Sequence, residues 1–400
     1  MTGEQVELYR ATRCDMLSSM HTLTLTLTLT LTLTLTLTLT LACNDSTEPT
    51  EEEEEVRSPF DAELAADLEE ALQAGLEEVG GVGIVLAVQL PDTELFLAAA
   101  GARDPATGDP LQTDDRFRIA SVSKTFTAAL VLQLADEGFL SLDDALADYV
   151  DLLPNDTGIT IRQLLIQTAG VPEYSVTSAF AQAADQPWSD EELVALVADE
   201  PLGEPGAAWA YSNTHYVLLS LVAESATGTP WPELLAERFF SPLGLSQTAV
   251  PTEDWGDIVP CWIDGIDYTD SIHPQAGAAA GGLTSSAADL AVWGEAYGSG
   301  ALLSDTIFAD QIADPLEISP DFIWYGLGVM LMGEGLADPE LELGHNGALN
   351  GAAAWMGHRP ERGGTMVILG NAWPRSGASY DYQYPLILSW ELWDLIEARD

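Results

Sequence analysis

A serine and a lysine three positions apart, Ser121 and Lys124, are the residues of this 400-residue chain best suited to covalent chemistry. A serine hydroxyl is a poor nucleophile until a neighbouring base takes its proton. A lysine serves as that base only when neutral, which requires burial to lower its pKa. The apolar residues that follow, Phe126, Leu130, Val131 and Leu134, supply such surroundings. Lys124 is also the one lysine among 13 basic residues, the other 12 being arginine. Arginine holds its proton far above neutral pH, so the exception falls where an amine could act as a base. Taken alone, the pair also reads as a surface lysine beside a helix-capping serine, because S-x-x-K arises readily by chance.

Two further groups accompany it: Tyr211-Ser212-Asn213 at the head of an apolar helical stretch, and His345-Asn346-Gly347 at the end of a strand-like run. The elements around them must bring the three together. Spacing of i and i+3 puts Ser121 and Lys124 on one helix face. Ala62 to Val79 has helical composition and is stopped by Gly80-Gly81. The runs Val82 to Leu90 and Glu94 to Ala100, split by Pro91-Asp92, predict a hairpin on which that helix packs. Residues 122 to 240 read mainly as helices. Capping-box spacing occurs at Ser141 to Asp144, Thr160 to Gln163 and Ser189 to Glu192, and Gly138, Gly170 and Gly228 sit where C-caps belong. Strands return after about residue 276, at Tyr325 to Met332, Leu341 to Leu343, Gly351 to Gly357 and Met366 to Asn371, before a closing helix near Tyr384 to Ala398. The order predicts an α/β fold with an inserted all-α lobe, residues 121–275, set between 60–120 and 276–400.

In this order and spacing, S-x-x-K, Y-x-N and H-x-G resemble the serine β-lactamase and penicillin-recognising superfamily, above all class C β-lactamases, D-alanyl-D-alanine carboxypeptidases and related esterases. The likeness spans roughly residues 62 to 400. Its companions are Ile161-Arg162-Gln163-Leu164-Leu165 to Gly170-Val171-Pro172, Pro242-Leu243-Gly244, and Gly281-Gly282-Leu283-Thr284-Ser285. The resemblance implies a β-lactamase/transpeptidase-like fold, an antiparallel sheet flanked by helices. It implies that Ser121 attacks a carbonyl to form an acyl-enzyme, while Lys124 and Tyr211 share the proton transfers, Tyr211 needing a cationic neighbour to lower its phenol pKa. Asn213 would hold the substrate amide and orient Lys124, and the backbone amides of Ser121 and Ala348 would form the oxyanion hole. Gly347 would let its strand approach the substrate closely. His345 is expected to bind substrate, to tune the site charge, or to hydrogen-bond at the strand end. Many relatives carry Lys-Thr-Gly at the third motif. Here Asn346 replaces the threonine hydroxyl that holds the carboxylate of penicillin or of a C-terminal D-alanine, which counts against an anionic substrate. A D-amino-acid peptidase or an esterase is expected before an efficient β-lactamase, because rapid β-lactam hydrolysis needs a well-placed deacylating water that the sequence does not show. No cofactor or metal is implied: His215, His273 and His358 lack ligand spacing and read as structural.

Sixty-four acidic against 13 basic residues give a formal charge of −51, which repels nucleic acid and anionic lipid and keeps the chain soluble. Cys14 and Cys43 precede the folded region and Cys261 reads as a small buried hydrophobe, so no disulfide framework or thiolate metal site is expected. Residues 22 to 41 are ten Thr-Leu repeats, followed by Ala42-Cys43-Asn44. Residues 1–42 resemble a bacterial lipoprotein leader, with Cys43 the lipidated first residue of the mature chain and the start codon at Met1, Met16 or Met20; an uncleaved membrane anchor is the alternative. The acidic stretch 43–59 reads as a disordered tether. The expectation is therefore an exported, periplasmic or cell-surface protein attached through its lipid or N-terminal segment, opening an amide or ester of a D-Ala peptide, a β-lactam or a small ester. A catalytically weak, tethered penicillin- or peptidoglycan-binding protein is the competing reading. A Ser-His-Asp esterase is disfavoured, because no serine sits in G-x-S-x-G.

Overall fold

The computed structural model describes residues 57–156, 158–320, 322–376, 379–380 and 383–399. The Thr-Leu repeat, Cys14, Cys43 and the run Glu51 to Glu55 lie outside them. Ser58 is tied to the first hairpin: its N–H donates to Asp92 O (2.8 Å) and its carbonyl accepts from Glu94 N (2.7 Å).

Helix α1, Ala62–Val79, buries Leu64, Leu68, Leu72 and Leu76, one per turn on a single face. Asp61 caps its start by accepting from Leu64 N at 2.7 Å, and Gly80 ends it at φ 67°. The face packs on strands β1, Gly83–Gln89, and β2, Phe96–Asp104. These lead into β3, Asp109–Pro110. The remaining strands of the sheet are β4, Leu316–Ser319, β5, Ile323–Tyr325, β6, Met330–Met332, β7, Glu342–Leu349, β8, Ala352–His358, and β9, Thr365–Gly370. They form one nine-stranded sheet in the order β3-β2-β1-β9-β8-β7-β6-β5-β4 with antiparallel pairings throughout. The last strand therefore pairs with the first, Ile84 opposite Gly370, which joins the two ends of the folded region. Every residue of β1, β8 and β9 is buried, since helices cover both faces and the strands read as continuous apolar runs. The expected strand Tyr325 to Met332 is two strands, because Gly326 and Gly328 (φ 80°) turn the chain between them.

Between β3 and β4 the chain builds the helical lobe. Its axis is α2, Ser123–Asp136, which has no polar face to expose and is buried almost end to end. Around it stand α3, Asn213–Thr227, and α4, Pro274–Gly281; α5, Ala287–Gly298, crosses to the sheet, and α6, Tyr384–Glu397, packs beside α1 on the other face. Phe126 of α2 stacks on Trp293 of α5 with centroids 3.8 Å apart, and the Trp293 indole donates to Thr125 Oγ1 (2.8 Å). Capping boxes are present at Thr160–Gln163 and Ser189–Glu192. At Ser141 to Asp144 the side chains close a turn rather than a helix, the amide of Ser141 donating to Asp144 Oδ2. Regular structure in the lobe is helical from Ala120 to Phe240; between Phe240 and Pro274 lie loops, the two-residue strands Trp262–Ile263 and Ile266–Asp267, and the 3₁₀ turn Thr269–Ser271. Among the described residues no helix is long and apolar enough to cross a membrane.

Candidate active site

Ser121 lies in a single 3₁₀ turn, Ala120–Val122, that runs straight into α2 and places Lys124 in its first turn. Two hydrogen bonds to Leu283 fix the turn from outside the helix: Ile119 N donates to Leu283 O (3.1 Å), and Leu283 N donates to Ser123 Oγ (3.2 Å). Ala120, directly before the serine, sits at φ 47°, a left-handed conformation that a non-glycine residue adopts at a cost of about 1–3 kcal/mol. Strand β7 presses against this turn at Gly347. A Cβ there would strike the carbonyl oxygen of Ile119 and come within 3.2 Å of Ser121 N, so only glycine lets the strand lie this close.

Lys124 is fully buried (0% exposed). Its Nζ lies 3.1 Å from Ser121 Oγ, 2.6 Å from Asn213 Oδ1 and 2.7 Å from Ala280 O. Burial, opposed by the charge of Glu173, pulls its pKa from 10.5 down to about 7. Asn213 Oδ1 and Ala280 O can each accept one hydrogen of a neutral amine, which turns the nitrogen lone pair toward Ser121 Oγ. On its other side Ser121 Oγ accepts from Tyr211 Oη at 2.9 Å. The cation lies 4.8 Å from the centroid of the Tyr211 ring and 5.4 Å from that of Tyr216.

The cationic neighbour expected for Tyr211 is thus present, but it does not lower the phenol. Desolvation, with Tyr325 adding to it and the Ser121 hydrogen bond opposing, holds Tyr211 well above the usual tyrosine range. The residue is 37% exposed, so solvent weakens that push; its direction still leaves a neutral phenol, a donor rather than a base.

Asn213 opens α3, and Glu173 holds it there. The Asn213 backbone N–H donates to Glu173 Oε2 and its amide Nδ2 to Oε1 (3.1 Å). Glu173, which also accepts from Ser175 N (2.9 Å), was not among the sequence candidates. Its signal was available: an acid directly following the Gly170-Val171-Pro172 companion run, in an otherwise uncharged stretch.

Ser121, Asn213 and Ala348 line a cavity of about 420 Å³. Its walls include Tyr174, Phe180, Ile272, Asn350 and Trp373, and no lining residue carries a formal charge. The third motif divides. Ala348 reaches the cavity, Gly347 meets the nucleophile's turn, and neither His345 nor Asn346 is among the lining residues. His345 is 2% exposed; its Nδ1–H donates to Asn346 O (2.6 Å), so Nε2 accepts from Tyr325 Oη (3.2 Å). Burial, with Lys124 adding to it, lowers its pKa to about 3, so it is a neutral hydrogen-bonding residue behind the site and does not tune site charge near neutral pH. His215, bonded to Gln167 Oε1, and His358, bonded to Thr365 Oγ1, are buried structural groups, and His273 caps α4. Cys261 is buried and free. Among the described residues no cluster of acids, histidines or cysteines could hold a metal ion.

A helical lobe set on an antiparallel sheet, with serine, lysine and tyrosine gathered where they meet, defines the β-lactamase/transpeptidase architecture. The family model described as Beta-lactamase matches residues 68–388, and the chain belongs to that family. It is 32% identical over 171 residues to Penicillin-binding protein 4* of Bacillus subtilis (strain 168), an alignment covering 42% of this chain and 38% of that protein, so the chain spans less than half the length of this relative. Among solved structures it is similar to a D-stereospecific amidohydrolase from Streptomyces sp. (29% identity, TM-score 0.67, 77% of this chain and 94% of that one). It is also similar to the D-amino acid amidase from Ochrobactrum anthropi SV3 complexed with D-phenylalanine (25% identity, TM-score 0.75, 84% and 100%).

Proposed function

We propose that the protein is a serine amidase or esterase that works through an acyl-enzyme on small, D-configured or achiral carboxylic amides and esters, and that it is exported and anchored through Cys43. The observation that carries the reaction is the double hold on Ser121 Oγ, between a buried lysine with a pKa near 7 and a neutral tyrosine. Ser121 Oγ attacks the carbonyl carbon and its proton passes to Lys124 Nζ. As the carbonyl–nitrogen or carbonyl–oxygen bond breaks, Tyr211 protonates the leaving group, and the phenolate is balanced by the lysine ammonium beside its ring. In deacylation water returns a proton to Tyr211 and adds hydroxyl to the acyl carbon, and Lys124 reprotonates the departing serine oxygen. The uncharged, partly aromatic cavity wall favours a neutral acyl group over one bearing a carboxylate, which sets β-lactams behind simple amides and esters. The likeness to solved structures named as a D-stereospecific amidohydrolase and a D-amino acid amidase supports the D-configured amides of this reading.

The test is to offer the protein D-phenylalanine amide, a chromogenic acetate ester and a fluorescent penicillin, and to follow product and intact mass. Turnover of the amide or ester with an acyl adduct on Ser121, both lost in Ser121→Ala, is the expected result. Adducts without turnover would instead support the tethered binding protein, and turnover surviving in Ser121→Ala would overturn the assignment. Mass analysis of the mature N-terminus tests the anchor; an unprocessed chain from Met1 would refute it.

The pH dependence follows from Lys124. Since the base must be neutral, kcat/KM should rise through about pH 7. Glu173 raises the Lys124 pKa, so in Glu173→Gln the rising limb should move to lower pH. A limb that stays put or moves up would show that Glu173 does not set the charge on Lys124.

A further inference from the structure

Tyr211 is 37% exposed, yet its Oη must stay 2.9 Å from Ser121 Oγ if it is to serve the serine and the leaving group. Packing alone does not aim so open a side chain, so its direction has to come from the backbone that carries it. That backbone is gripped by Gln167, which stands two positions past the short helix Ile161–Leu165. Its main-chain oxygen accepts from Ala210 N (2.9 Å) and its side-chain Oε1 accepts from Ser212 N (2.9 Å), one bond on each side of Tyr211. Taking Tyr211 as the proton donor of the proposed reaction, we infer that Gln167 is its positioning residue.

Three further observations set Gln167 apart from an ordinary buried glutamine. Its φ is 64°, a left-handed conformation that a residue with a Cβ adopts at a cost, and strain of this kind persists where the surrounding structure demands it and clusters at functional sites. Here the strained turn sends the carbonyl and the side chain of one residue to the same neighbouring segment. Next, the side-chain oxygen is itself held, because His215 Nδ1 lies 2.5 Å from Oε1. Only an oxygen can accept from Ser212 N–H, which orients the amide; His215, kept neutral by burial and then by Lys124 with a pKa of about 3, is thereby its donor through Nδ1–H. Last, Gln167 is fully buried, and an amide offers an oxygen at this reach without burying a charge. A line of hydrogen bonds thus runs from His215 through Gln167 to the peptide after Tyr211. The segment is also laced to its neighbour by Gly203 N to Gly170 O (2.8 Å), Gly206 N to Thr168 O (2.9 Å) and Ser212 Oγ to Pro172 O (3.2 Å). Loss of Gln167 Oε1 should therefore tilt the peptide that follows Tyr211 rather than unfold the lobe.

The experiment compares kcat/KM of the full chain for two acetate esters: 4-nitrophenyl acetate, whose leaving group departs unprotonated near neutral pH, and benzyl acetate, whose alkoxide must receive a proton. Both share one acyl group, so their ratio reads proton donation and is blind to the fraction of protein that is folded. Tyr211→Phe is the reference. It should lower the value for benzyl acetate about 10²-fold or more and that for 4-nitrophenyl acetate about tenfold or less. Asparagine and glycine both accept a left-handed backbone, but asparagine falls one methylene short of Ser212 N and glycine has no side chain to reach it. Gln167→Asn and Gln167→Gly should each lower benzyl acetate by about tenfold to 10²-fold while 4-nitrophenyl acetate stays within about threefold of wild type. Equal loss of the two esters in Tyr211→Phe would overturn Tyr211 as the proton donor, and the role of Gln167 with it. The leaving-group pattern in Tyr211→Phe with an unchanged ratio in both Gln167 variants would overturn the role of Gln167 alone and leave the proposed reaction standing.

Discussion

Lys124→Met should lower turnover about 10³-fold, the scale of a lost general base, and should do so in a protein that still folds. Methionine is unbranched, matches the lysine stem in length and suits the apolar surroundings of α2. The same substitution makes a second, independent prediction about stability. In the folded protein Lys124 has a pKa of about 7, against 10.5 for an unburied lysine. Below pH 7 both states hold the proton. Between pH 7 and 10.5 the unfolded chain holds a proton that the folded chain has shed, so raising the pH across this window favours the folded state. Wild-type stability should therefore gain on Lys124→Met by about 2–3 kcal/mol between pH 7 and pH 9, and by on the order of 4–5 kcal/mol across the whole window. The variant also leaves Asn213 Oδ1 and Ala280 O without their donor, a cost that does not depend on pH; it offsets the difference curve without tilting it. Denaturant melts of both proteins at several pH values read the slope directly. A flat difference, or turnover within about tenfold of wild type, would mean that Lys124 is not the titrating base.

The sequence made the candidate nucleophile and its neighbours legible because acyl transfer by a serine would require residue types at fixed local spacing. Ser121 and Lys124 share one helix face at i and i+3, and a lone lysine in a chain whose 12 other basic residues are all arginine marks a place where a proton could be released. The helix Ala62–Val79 was readable from its composition and the Gly80-Gly81 stop, and the first hairpin from two strand-like runs split by Pro91-Asp92. What sequence could not supply was set by long-range packing. Glu173 meets Asn213 40 residues away, and the Ala280 carbonyl meets Lys124 156 residues away. Neither contact leaves a periodic trace. The direction of the Tyr211 shift depends on how much burial outweighs a nearby charge, which spacing does not reveal. His345 was ambiguous for the same reason: a histidine at a strand motif reads alike whether it faces a cavity or, as here, Tyr325 behind it.

Gly347→Ala should be nearly as damaging as losing the base, although it removes no functional group. The added Cβ would collide with the Ile119 carbonyl and crowd Ser121 N (3.2 Å) and Ala120 Cβ (3.3 Å). The turn has little room to yield, since Ala120 already holds φ 47° and Ile119 N is bonded to Leu283 O. Strand β7 is held from its far side by seven residue pairs with β8, from Leu343 opposite His358 to Leu349 opposite Ala352. The clash must then be relieved by parting β7 from the turn, which separates the backbone amides of Ser121 and Ala348 assigned to the oxyanion. Loss of one such donor costs about 10²–10³-fold in kcat, and a displacement near 1 Å costs about 10²-fold. Overpacking should add about 1–3 kcal/mol of destabilisation. The fall should appear mainly in kcat, because the side chains lining the cavity are unchanged, whereas a purely structural lesion would lower the active fraction and leave kcat per labelled Ser121 intact. Active-site titration by the acyl adduct separates these outcomes. A variant with kcat per adduct within about threefold of wild type would show that the close approach of β7 does not shape the transition state.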